Sequence, residues 1–152
     1  MLAFLRPDEW DFPLFLHVFG AIVLFGGVAA VALLTFASLR RSVPTSTLLR
    51  RLAFTTTLLV VWPAYILMRI GAQWVLSKEY PSNEPDWVGV GYAVADGGIL
   101  VLALLTLFTW LAARQTTAER PRPGTTTVAA GLTLIYVVAL AVAWFAMTAK
   151  PG

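Results

Sequence analysis

Apolar residues fill four long stretches of the chain, at about 13–39, 52–76, 87–113 and 125–148, and polar residues gather between them. Each stretch exceeds the roughly 20 residues that a helix needs to cross a ~30 Å hydrocarbon layer. None alternates apolar with polar positions, and each far outruns the about 10 residues of a barrel strand. The pattern predicts an all-α protein: an integral membrane four-helix bundle, up-down-up-down, forming a single transmembrane domain. Pro13 suits a first helical turn, while Pro44, Pro81, Pro85, Pro121 and Pro123 are expected in the connections. Pro63 falls inside the second stretch, where it removes a hydrogen bond to Leu59 and predicts a kink. Thr55, Thr56 and Thr57, one turn earlier, offer hydroxyls to the freed backbone groups.

Charge supplies an orientation. Arg40, Arg41, Arg50 and Arg51 fall in the first connection, and Arg114, Arg120 and Arg122 in the third. The other side holds Arg6, Lys78 and Lys150, with Asp8, Glu9, Asp11, Glu79, Glu84 and Asp86. The positive-inside rule then places the arginine-rich connections in the cytoplasm and both termini outside, in a bacterial inner membrane. The N-terminal stretch lacks a basic leader and is followed by Arg40-Arg41, so it reads as a retained span. Arg40, Arg41, Arg50 and Arg51 are candidates for anionic lipid headgroups, though setting topology is sufficient reason for them.

Composition agrees with this and removes whole function classes. Of 152 residues, 59% are hydrophobic and 12% charged, against roughly 45–50% and about 25% in a soluble domain. Cysteine is absent, which excludes disulfides, thiolate metal sites and cysteine nucleophiles. A single histidine, His17, excludes a zinc or copper centre built from several imidazoles of one chain. The net charge of +3 follows from the topology and does not indicate nucleic acid. No phosphate loop, hydrolase triad or metal cluster is present, so the chain reads as non-enzymatic.

Three ionisable residues enter the spans: His17, Arg69 and Asp96. Counted inward from Asp11, Lys78 and Asp86 at helical rise, they lie about 9, 13 and 15 Å deep, all in the outer half. Charge inside hydrocarbon is costly and marks a candidate site. Arg69 and Asp96, at matched depth on consecutive helices, are expected to pair; snorkelling is the alternative for Arg69. Tyr65, Arg69, Ala72 and Gln73 follow Pro63 at helical spacing, and with Tyr92 and His17 they define an expected outward-facing ligand pocket. Gly89, Ala93 and Gly97 repeat at spacing four, with Gly91 and Ala95 alongside; this predicts a packing seam with Asp96 turned away from lipid. Gly97-Gly98 can loosen the helix there. Trp10, Trp74, Trp87 and Trp144 fit an outer aromatic belt and Trp110 an inner one, with Trp62 in the core. His17, with Gly20, Ala21 and Gly27 on its face, suits a hydrogen bond across helices, proton exchange or haem ligation. A haem needs Met68, Met147 or a second His17 as its other ligand.

The segment Leu16-His17-Val18-Phe19-Gly20-Ala21-Ile22, followed by Gly26-Gly27, resembles the opening helix of small bacterial four-helix membrane proteins of unknown function. It is also similar to the first helix of copper-resistance protein D-like membrane domains. The resemblance covers about 15 residues and implies an inner-membrane four-helix protein in which His17 matters. Three functional readings stay open. The first is a polar site that binds or passes a small ligand, ion or proton, in a homo-oligomer. The second is an accessory subunit of a larger membrane complex. The third is a small redox protein carrying haem or quinone.

Overall fold

The computed structural model describes residues 11–79, 86–115 and 123–149. Arg6, Asp8, Glu9, Trp10, Pro81, Glu84, Pro85, Arg120, Pro121, Arg122 and Lys150 lie outside the described residues, as do the side chains of Glu79, Asp86 and Trp87. All the elements described are helical: α1 (Asp11–Leu39), α2 (Val43–Thr56), a π turn (Thr57–Val61), α3 (Trp62–Glu79), α4 (Asp86–Arg114) and α5 (Pro123–Ala149). Since α2, the π turn and α3 are continuous, the chain makes four spans long and apolar enough to cross a membrane. It is a multi-pass membrane protein by this measure.

The second span begins at Val43, well before the apolar stretch does. The chain reverses within Arg40, Arg41 and Ser42. Arg40 N–H closes α1 on the Ala37 carbonyl at 3.1 Å. Ser42, extended at φ −63 and ψ 161, precedes Pro44 in the first turn of α2. A missing N–H costs nothing there. Pro44 therefore opens a helix, contrary to the expected loop, and Pro123 likewise begins α5. Arg50 and Arg51 lie on α2 and not in a connection. Hydropathy missed this turn because it reports the preferred solvent, not the backbone.

Pro63 acts as expected on the hydrogen bonding. In a regular helix its ring would collide with the Leu59 carbonyl. The wider π turn avoids this: Trp62 N–H reaches back to the Thr57 carbonyl. The Thr57 hydroxyl donates to Ala53 O at 2.8 Å.

Helix packing is set by small residues. A methyl on Gly71 would meet the backbone of His17, 2.7 Å from its Cα. One on Gly20 would lie 2.8 Å from Met68 Cα. Glycine at both positions lets α1 and α3 touch backbone to backbone. Along α1 the contacts run His17, Gly20, Gly27 while their partners descend through Gly71, Met68 and Val61. On α4 the buried row is Val88, Gly91, Ala95, Gly98, Leu102, Leu105, Thr109 and Ala112, a three–four alternation. Gly98 leaves room for the ring and hydroxyl of Tyr136 on α5.

This corrects the expected seam. Gly89, Ala93 and Gly97 face outward, and the space where a Cβ would stand on Gly89 or Gly97 is empty to 4 Å. The Gly91 row wins because it continues in phase into Leu102 and Leu105, which fill the core. α4 also runs unbroken through Gly97-Gly98. Large apolar side chains such as Leu33 and Phe145, both 73% exposed, cover the outside of the bundle. Trp74, Trp110 and Trp144 are exposed there as well, while Trp62 packs on the core and donates to Thr106 Oγ1 at 2.8 Å.

Candidate functional site

Spacing along α3 presents two faces. Ala64, Met68 and Gly71 meet α1. Tyr65, Arg69 and Gln73 meet α4, each through a polar contact. Nearest the core, the Tyr65 hydroxyl donates to the Ala95 carbonyl at 2.9 Å. One turn further, Arg69 Nη2 and Asp96 Oδ1 are 2.6 Å apart. The Arg69 guanidinium also lies over the Tyr92 ring, 4.6 Å from its centroid, a cation–π geometry. Last, the Tyr92 hydroxyl donates to Gln73 Oε1 at 3.0 Å. Five of the six sequence-predicted site residues thus form one continuous polar ladder between α3 and α4.

The ladder opens sideways. The Arg69 side chain is 29% exposed and that of Asp96 63%. Asp96 therefore borders the outward Gly89 row and is turned to the surroundings of the bundle, not away from them. An arginine held against an accessible carboxylate offers a fork of donors beside an acceptor. That combination suits a small polar or ionic ligand.

His17 stands apart, on the α1 side of α3. Its Nδ1 lies 3.0 Å from the Met68 carbonyl. A carbonyl only accepts, so Nδ1–H donates and, in the neutral ring, Nε2 is the unprotonated nitrogen. This is the hydrogen bond across helices that the small face of α1 made available. The α1 and α3 backbones are in contact at His17 and Gly71. Met68 meets the imidazole through its carbonyl, and the Met147 methyl packs against Gly91 of α4.

Nothing in the pattern of residues singles out Tyr136. Its ring is 1% exposed and its hydroxyl has no partner among the described residues. Only its position opposite Gly98 accounts for the room it takes. No family model, curated protein or solved structure matches this chain.

Proposed function

We propose that this is a non-enzymatic inner-membrane protein whose α3–α4 ladder binds or passes a small polar ligand, ion or proton. Its four spans run up-down-up-down with both termini outside. The contact pairs between successive spans support that course, since residue numbers rise on one helix as they fall on the next. Kinship with small four-helix bacterial membrane proteins belongs to the same reading, supported by the first-helix pattern around His17.

The observation that carries the reading is the accessible ion pair. Arg51 and Arg69 are eighteen residues apart, as are Asp96 and Arg114. At helical rise that is about 27 Å, close to the full ~30 Å of hydrocarbon. Measured from the arginine end, the pair lies past mid-depth, in the outer half that the counts from Lys78 and Asp86 also give. An ion pair open on one side is tolerable there and available to a ligand.

The test is a thermal-shift titration in mild detergent with sodium, glutamate, lysine and a pH series. At least one of these should stabilise the wild type and lose its effect in Arg69→Gln. If no probe separates the two proteins while both are folded, the reading fails. The outward Gly89, Ala93 and Gly97 row favours a second element of the same reading, packing against another membrane helix in a homo-oligomer or larger complex.

A further inference from the structure

The four arginines nearest the first turn are not equivalent. Arg40, Arg41 and Arg51 are exposed, whereas Arg50 is 6% exposed. Arg50 follows Ser46 by four residues and precedes Ala53 by three, so it occupies the inward row of α2. Its Nε is buried with no partner. A buried guanidinium N–H without an acceptor is costly.

Its surroundings follow from the helix registers. Gly27 lies against Val61 and Gly20 against Met68. The same register sets Arg50 level with Ser38, in the last turn of α1. Trp62 bonds Thr106, which sets Arg50 about one turn beyond the end of α4 at Arg114. There Gln115 donates through Nε2 to Thr125 Oγ1 at 3.0 Å, joining the start of α5. At this end Ser38, Ser46 and Thr126 are buried. Ser38 bonds its own helix. The Thr126 hydroxyl and Gln115 Oε1 are buried without partners. Three of the orphaned polar atoms therefore collect at one end of the bundle, the end that carries the exposed arginines and Arg114.

We propose that Arg50 is the centre of an interior oxyanion site at the arginine end, taking a phosphate group from a membrane lipid headgroup or free phosphate. The planar guanidinium matches phosphate oxygens, the Thr126 hydroxyl can donate a further bond, and Gln115 Oε1 accepts from a hydroxyl on the ligand. The exposed arginines raise the local anion concentration. This site lies at the opposite end from Arg69 and Asp96 and does not depend on their role.

The experiment measures binding of phosphatidylglycerol, and separately of inorganic phosphate, by thermal shift of the full chain in a neutral detergent. Arg50→Gln should weaken the bound anion about tenfold or more, the loss of a charge-assisted bond. Arg51→Gln should change it about twofold or less. Dependence on Arg50 with phosphatidylglycerol alone identifies a lipid site; the same dependence with phosphate identifies a free-anion site. Should Arg50→Gln not fold, Arg50→Lys and Thr126→Val carry the test, and each must weaken binding where Arg51→Gln does not. If neither anion distinguishes the Arg50 and Thr126 variants from Arg51→Gln, the site does not exist.

Discussion

At the scale of single residues, Asp96 joins two properties that rarely coincide in a membrane helix: it is ionisable, and it is mostly uncovered. Its contact with Arg69 should behave as an exposed pair. In unfolding by denaturing detergent, Asp96→Asn and Arg69→Gln combined in a double-mutant cycle should show coupling of about 0.2–1 kcal/mol. A markedly larger value would mean that another chain covers the pair. The pairing was legible because ionisable residues are conspicuous in apolar stretches and helical rise fixes their depth. Which way each side chain faces was not, since that depends on the phase of α4 within the bundle. Arg50 was illegible for a related reason. In a polar stretch one arginine looks like the next, until the helix is seen to begin at Val43.

At the scale of elements, small residues decide which faces meet. Gly71 and Gly97 look alike in sequence, each inside an apolar run. Gly71→Ala should cost about 1–3 kcal/mol, because its methyl meets the His17 backbone. Gly97→Ala should be neutral or gain up to about 1 kcal/mol from helix propensity. Equal losses in detergent stability would contradict the outward placement of Gly97. The four spans themselves were plain from hydropathy, and so was the disturbance at Pro63. The choice between the two interleaved rows of α4 was not, because local spacing suits both. It is settled by Leu102 and Leu105 further along, and by Tyr136 on another helix.

At the scale of the molecule, the absence of cysteine makes orientation directly measurable. A single cysteine at Ser77 should react with a membrane-impermeant maleimide added to intact cells. One at Ser42 should react only after the inner membrane is opened. The reverse pattern would place the arginine end outside. The long second span gives this layout a mechanical meaning. Arg50 and Arg69 lie nineteen residues apart on one rod, about 28 Å at helical rise, with the π turn Thr57–Val61 between them. A regular helix transmits twist from end to end. The wider turn takes one more residue than a regular helical turn, so it sets the angular phase between the two charged levels.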